Sequence, residues 1–282
     1  MSPSFKVADG LATLGPELLQ VRDALERRLL RWADDSAATR MAFPPLIPVR
    51  DLELFGYLDN FPHLALMASP LRTGEAAEPA ASGARWSAEG AVATERLAPS
   101  GAALASAACY HVYLHLRDTT LDTARYVTTV ATCYRNEQRY DGLRRLQAFT
   151  MREIVCVGSG DEVRDHVAAF KPRIVAFARS LGLELEIRPA TDPFFEPGGG
   201  RALLQRLFPV KEEFVFDDSL AVASVNFHRN FFGEKCDIRL ADGGPAFTGC
   251  VAFGLERWLA ALLDVHKDPE TILGVLAGIP DE

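Results

Sequence analysis

Residues 131–157 read ATCYRNEQRYDGLRRLQAFTMREIVCV, and the fold of the whole chain turns on how this stretch is read. Residues 127–134 and 148–157 are rich in Thr, Val, Ile, Tyr and Phe, whereas the middle, QRYDGLRR, is charged and carries the turn pair Asp141 and Gly142. This predicts two strands joined by a loop, and the loop is where a ligand is expected. The hairpin also carries Arg135, Glu137, Arg145 and Glu153. Charges of this kind are rarely buried without partners. Guanidinium forks suit phosphate or carboxylate oxygens, and nearby carboxylates suit amino groups or a metal. On spacing alone, a solvated hairpin face remains an equal alternative.

The segments TCYRNE, GLRR, RLQAF and FTMRE together resemble motif 2 of the class II aminoacyl-tRNA synthetases, in its seryl variety. That motif is Arg-x-Glu, a variable loop, then Arg-x-x-x-Phe, and the chain carries Arg135-x-Glu137 and Arg145-x-x-x-Phe149 in that order. The resemblance implies an α+β fold in which an antiparallel sheet is flanked by helices. It also implies that Arg135 grips the α-phosphate of ATP and the substrate carboxylate, that Glu137 reads the adenine side, and that Phe149 stacks on adenine. Arg145 would contact the polyphosphate.

A chain of 282 residues, 48% of them hydrophobic, has room for one large core around this hairpin. There is no apolar run of about 18 residues and no charged-then-apolar N-terminus, so a soluble, cytoplasmic protein is expected. The net charge of −8 argues against broad nucleic-acid binding. Five irregularly placed cysteines, none in a C-x-x-C pair, suggest reduced thiols or metal ligands.

Leu14, Leu18, Val21, Leu25, Leu29 and Trp32 recur at helical spacing, predicting a helix over about 12–33. Pro44, Pro45 and Pro48 then start an extended segment. A helix leading into a proline-bearing strand resembles motif 1, the dimer seam of the family, which implies a homodimer. Residues 71–102, with Trp86 as their one large apolar group, read as a connector around a short strand.

Cys109 stands ahead of the alternating Val112, Leu114 and Leu116, and Cys250 opens GCVAFGLERWLAALL. Taken singly, each reads as a small buried hydrophobe. Together with Glu153 they offer two thiolates and a carboxylate, a zinc set with one position left open, although Cys133, Cys156 and His228 compete on chemistry. In the methanogen-type seryl-tRNA synthetases and their shortened bacterial relatives, zinc is held by a Cys before motif 2, a Glu just after its Arg-x-x-x-Phe and a Cys opening motif 3. The resemblance places Cys109, Glu153 and Cys250 in those roles and leaves Cys133 structural. It further implies that the open position takes the α-amino group of the substrate, which must be deprotonated to donate.

Val163, Val167, Phe170, Ile174, Phe177 and Leu181 form the apolar stripe of a helix that contains Pro172, followed by a strand. Arg164, Lys171, Arg173 and Arg179 lie off that stripe, as a solvated face or a landing strip for an acidic partner. The three glycines at 198–200 match no phosphate-loop pattern and predict a flexible loop over the site, then a helix ending near Phe208. Lys211 after it is either exposed or near the substrate. The segment 220–240 reads as a strand pair that puts Ser224, Asn226 and His228 on one face. In the relatives an SxN sequence here lines the amino-acid and ATP pocket, which makes Ser224 and Asn226 candidates. The magnesium-holding Glu of seryl enzymes is missing from LAVAS, with Asp217 or Asp218 as substitutes.

TGCVAFGLERWLAALLDVH resembles motif 3, whose Arg, here Arg257, holds the γ-phosphate of bent ATP; Glu256 reads as structural. The expected organisation is a single catalytic domain over 1–282, with a helical insertion or appendage at about 161–210. No room is left for a tRNA-binding domain, so tRNA is not the expected partner. The chain most resembles the amino acid:carrier protein ligases. That resemblance implies zinc, ATP and magnesium as cofactors, an amino acid as substrate and a phosphopantetheinylated acyl carrier protein as acceptor. Aminoacylation of tRNA or another small acceptor is the alternative enzyme reading. A synthetase-like regulatory protein that binds amino acid and zinc without chemistry is the non-enzyme reading.

Overall fold

The computed structural model describes residues 4–73, 90–196, 198–200, 205 and 210–280. Strands β1 (Phe5–Ala8) and β2 (Leu11–Leu14) form a hairpin, and helix α1 (Pro16–Asp35) follows. Leu14 pairs with Phe5 in that hairpin, not with α1. Pro16 disfavours helical backbone at the residue before it, so Gly15 is extended and the helix starts four residues later than its periodicity suggests.

Strand β3 (Thr39–Arg40) leads to a small sheet in which β4 (Leu46–Pro48) and β5 (Met67–Ala68) flank β6 (Ala102–Leu104). Between β4 and β5 lie two short helices, α2 (Val49–Leu54) and α3 (Tyr57–Asn60). Trp86 lies outside the described residues, as does Phe208, near which a helix end was expected. After Cys109 the chain forms the short helix α4 (Tyr110–His115), in which the neighbours Val112 and Tyr113 are both buried.

The strands β7 (Thr120–Leu121), β8 (Arg125–Tyr134) and β9 (Ala148–Gly158) come next, and β8 and β9 are the predicted hairpin almost to the residue. Helix α5 (Gly160–Ser180) runs through Pro172 and starts at a capping box between Ser159 and Glu162. Then come β10 (Leu185–Pro189), β11 (Lys211–Phe216) and β12 (Leu220–Arg229). The expected strand pair at 220–240 is only half realised. After β12 the chain forms a short helix, Phe231–Lys235, and β13 (Arg239–Leu240) pairs with β7 away from the main sheet. Gly233 permits this turn, since a Cβ there would meet the Ala246 carbonyl. Strand β14 (Phe247–Gly254) and the helices Leu255–His266 and Pro269–Gly278 complete the chain.

The main sheet has the order β10-β11-β12-β14-β9-β8-β3, antiparallel throughout except for β3. One face carries Phe214, Val225, Val251, Phe253 and Ile154 and packs on α1, α5 and the C-terminal helices. Trp32 of α1 sits edge-on to Phe177 at 5.4 Å and to Phe253 at 5.8 Å, contacts worth about 0.5–1.5 kcal/mol each beyond burial. Arg152 is buried on this face, held by Glu26 of α1 and by the Thr128 hydroxyl. The opposite face is covered only in part, by α2, α4 and the Phe231–Lys235 helix, and the open remainder holds the site. Among the described residues no helix is long and apolar enough to cross a membrane.

Gly249 sets the distance between sheet and α5. A Cβ there would stand 2.6 Å from Val163 Cγ1 and 2.8 Å from the Asn226 carbonyl. Gly249→Ala is expected to lower stability by about 1–3 kcal/mol, read as an earlier midpoint in urea; an unchanged midpoint contradicts the packing described.

Candidate active site

Cross-strand partners share a face of a sheet, so the register alone collects the site. One rung runs Lys211, Asn226, Cys250, Val155, Val127, and the next runs Glu213, Ser224, Ala252, Glu153, Thr129. Cys250 and Glu153 are therefore diagonal neighbours on adjacent strands. Cys109, as the residue that caps α4, is brought over them from outside the sheet.

Donor atoms of Cys109, Glu153 and Cys250 all lie within 4.8 Å of one another, and all three residues are buried. Glu153 Oε1 accepts the backbone N–H of Ala108 at 2.9 Å and of Cys109 at 3.3 Å, which fixes the carboxylate against the start of α4. Its Oε2 is buried with no hydrogen-bond partner. An orphaned carboxylate oxygen costs free energy unless a cation meets it. Asn226 Nδ2 donates to Cys250 Sγ at 3.4 Å and to Ser224 Oγ at 3.2 Å. Contact with Cys109, burial and the Glu153 carboxylate push the Cys250 thiol well up. Contact with Cys250 draws the Cys109 thiol down, but burial and Glu153 outweigh it and leave it raised. Two thiols and a carboxylate with one open side are a donor set that suits zinc. The competitors do not assemble: Cys156 is on the helix face beside Tyr126, and no other such cluster exists among the described residues.

A cleft adjoins this cluster, lined by Arg135, Glu137, Arg144, Phe149, Glu213 and Arg257 among others. The Arg135 guanidinium lies over the Phe149 ring at 5.0 Å and donates to the Ser106 carbonyl. Arg145 pairs with Glu137 at 2.9 Å. Arg257 donates to the carbonyls of Arg144 and Ala221, both at 3.1 Å. Burial, with Arg135 as a like charge nearby, lowers Arg257 to about 10, which leaves it charged at neutral pH. Glu256 accepts both the backbone N–H and the hydroxyl of Thr150, so it ties the helix Leu255–His266 to β9.

The metal-type cluster opens into a second, larger cavity walled by Tyr57, Tyr110, Phe232, His228 and other, mostly apolar, side chains. The two cavities share Arg135, Met151, Lys211, Ser224 and Ala252. Lys211 is thus at the site, not in solvent, paired with Asp192 at 3.2 Å and Glu213 at 3.0 Å. Asp217 and Asp218, the substitutes for the absent magnesium carboxylate, are exposed in the β11–β12 turn, where Asp217 lies 3.8 Å from Arg144 and Asp218 pairs with Arg188. Glu213 is the carboxylate the sequence reading missed. It is supplied by β11, opposite Ser224, and the alternation of Lys211 and Glu213 was the available signal. The cations of α5 pair at the surface with Asp161, Glu212, Asp35 and Glu184.

A seven-stranded, mainly antiparallel sheet carrying this hairpin, cleft and terminal Arg-bearing helix is the class II aminoacyl-tRNA synthetase catalytic fold. The crystal structure of M. kandleri SerRS with A. aeolicus tRNASec superposes with a TM-score of 0.80 at 22% identity, covering 98% of this chain and 59% of that one. No family model matches. Two curated relatives from Bradyrhizobium diazoefficiens (strain USDA 110), named amino acid--[acyl-carrier-protein] ligase 1 and 2, are 36% and 38% identical over 82% and 80% of this chain and 73% and 69% of their own. The chain belongs to the amino acid--[acyl-carrier-protein] ligase family.

His228 gives a pH test of the cavity. Burial lowers it from 6.5 to about 4, with Asp192 opposing and Lys211 assisting. The unfolded chain then takes up a proton that the folded one refuses, so stability is lost as pH falls through this window. Between pH 7 and pH 5, His228→Gln is expected to remove about 1–2 kcal/mol of that loss, measured by urea unfolding at both values; identical slopes contradict a neutral, half-buried imidazole.

Proposed function

We propose that the chain uses ATP to activate a small amino acid, glycine or alanine first, as an aminoacyl adenylate, and passes it to the phosphopantetheine thiol of a carrier protein. The observation that carries this reading is the junction of the two cavities at Arg135, Lys211 and Ser224, with arginines on one side and the Cys109–Glu153–Cys250 cluster on the other. Membership of a family whose relatives are named for this reaction supports it.

In this reading adenine stacks on Phe149, with Glu137 at its edge. Arg135, Arg145 and Arg257 neutralise the phosphates, and Glu213, on the wall of the cleft, supplies a carboxylate for magnesium. Cys109, Glu153 and Cys250 hold zinc, which when bound acts as a Lewis acid for the substrate amine. Ser224 and Asn226 line the floor beneath the amino acid. A carboxylate oxygen bonds to the α-phosphorus, the bond to the β-phosphate breaks, and pyrophosphate leaves. The acceptor sulfur then bonds to the acyl carbon, AMP leaves with the electrons of the broken C–O bond, and the thiol proton goes to solvent. Rate comes from positioning and charge stabilisation. A homodimer formed through the β4–β6–β5 sheet, where Leu46 and Met67 are each 43% exposed, belongs to the same proposal. Five buried, free cysteines suit the reducing cytoplasm.

The test is amino-acid-dependent exchange of pyrophosphate into ATP across a panel of amino acids. Arg135→Ala and Arg257→Ala should each lower exchange by at least about a hundredfold. Full exchange in both variants contradicts the reading. Incubation with ATP, mixed amino acids and candidate carrier proteins should add one aminoacyl mass to the phosphopantetheinylated form, and transfer only to tRNA would redirect the assignment.

A further inference from the structure

The motif 2 loop is fastened at its base to the N-terminal hairpin, and the residues proposed to grip the nucleotide stand on either side of that fastening. Asp9 and Gly10 join β1 to β2 with φ of 50° and 73°. Both are left-handed, the two-residue turn for which Asp-Gly is a favoured pair. Phe5, Val7, Ala12 and Leu14 pack on the main core, so the turn has a fixed place.

Gly10 is buried at that turn. Its carbonyl accepts the N–H of Gln147 at 2.8 Å, and the carbonyl of Gln147 accepts the N–H of Arg135 at 2.9 Å. Tyr140, from the middle of the loop, lays its ring against Gly10, where a Cβ would stand 2.5 Å from Cδ1 and 2.7 Å from Cε1. The loop is thus held twice by one glycine: through its backbone at Gln147 and through a ring that only a residue without a side chain admits. Leu143 and Leu146 seat the same loop in the core. Phe149 follows two residues after Gln147, under the Arg135 guanidinium.

We propose that this hairpin turn is a positioning element for ATP, with Gly10 and Tyr140 as positioning residues that act through Gln147 on Arg135 and Phe149. The assignment rests on the nucleotide half of the function proposed above. A side chain at position 10 displaces the ring, the ring displaces the loop, and the guanidinium and the stacking ring lose their common alignment. Neither Gly10 nor Tyr140 lines the nucleotide cleft or the larger cavity, so the effect is transmitted and not direct.

The test is calorimetric titration of the full chain with ATP itself, alongside thermal unfolding and metal content. Gly10→Ala is expected to weaken ATP binding about tenfold and Tyr140→Ala about threefold, with the double variant near threefold and not near thirtyfold, because both changes act on one contact. Metal content should stay at its starting value. Unchanged ATP affinity in Gly10→Ala overturns the proposal, as does a double variant that shows the full product. A parallel fall of affinity, metal content and unfolding temperature in all variants makes the turn merely structural and also overturns it. If Gly10→Ala does not fold, Tyr140→Ala alone decides, since it leaves the turn backbone intact, and full affinity there overturns the proposal. If the unsubstituted protein binds ATP yet exchanges pyrophosphate with no amino acid, the ligase reading fails while the positioning assignment still stands or falls on the titrations.

Discussion

Two thiols and a carboxylate are buried against one another beside a cleft full of arginines, and this burial is the constraint around which the molecule is arranged. Glu153 is 1% exposed and Cys250 2%, and one carboxylate oxygen has no hydrogen-bond partner. In a low-dielectric interior such a group is costly unless a cation stands opposite it. The sheet makes the arrangement possible because the pleat and the register of β14 and β9 place these two residues as neighbours on one face. The third member needs a separate device. Cys109 caps α4, and the backbone N–H groups at the start of that helix fix the Glu153 carboxylate in return.

The same rungs extend sideways into the rest of the site. Asn226 beside Cys250, Ser224 beside Ala252, and Lys211 and Glu213 on β11 form a continuous floor from the cluster to the arginine-lined cleft. The helix face beneath is filled by Trp32, Phe177 and Phe253, so the floor is stiff. A bond between an amino acid carboxylate and a nucleotide needs both held to within fractions of an ångström, which a packed sheet supplies and a loop does not. The motif 2 loop is the exception, and it is tied down from outside by the N-terminal hairpin.

Much of this was legible in the sequence, and the limits have physical causes. The β8–β9 hairpin was readable because its strands are rich in β-branched and aromatic residues and its turn is charged. The ordered motifs around Arg135, Phe149 and Arg257 carried the class II fold, which the structure and the relatives bear out. The grouping of Cys109, Glu153 and Cys250 came from resemblance and not from spacing, since sheet register is set by non-local pairing that no local pattern encodes. Two readings failed for local reasons. Leu14 matched a helical stripe that Pro16 cuts off, and the strand pair expected over 220–240 is broken after Arg229 by a helix that packs Gly233 on Ala246. Glu213 alternates with Lys211, but that signal went unused because its place opposite Ser224 is set by the β11–β12 register.

The proposed chemistry anchors the amino acid through a cation that sulfur and oxygen would hold over the two central strands of the sheet. X-ray absorption at the zinc edge of the purified protein reads that shell directly. The account predicts one zinc per chain with two sulfur scatterers at about 2.3 Å and the remaining ligands oxygen or nitrogen at about 2.0–2.2 Å. A shell with no sulfur, or a protein whose zinc content is untouched by Cys250→Ser, would contradict it.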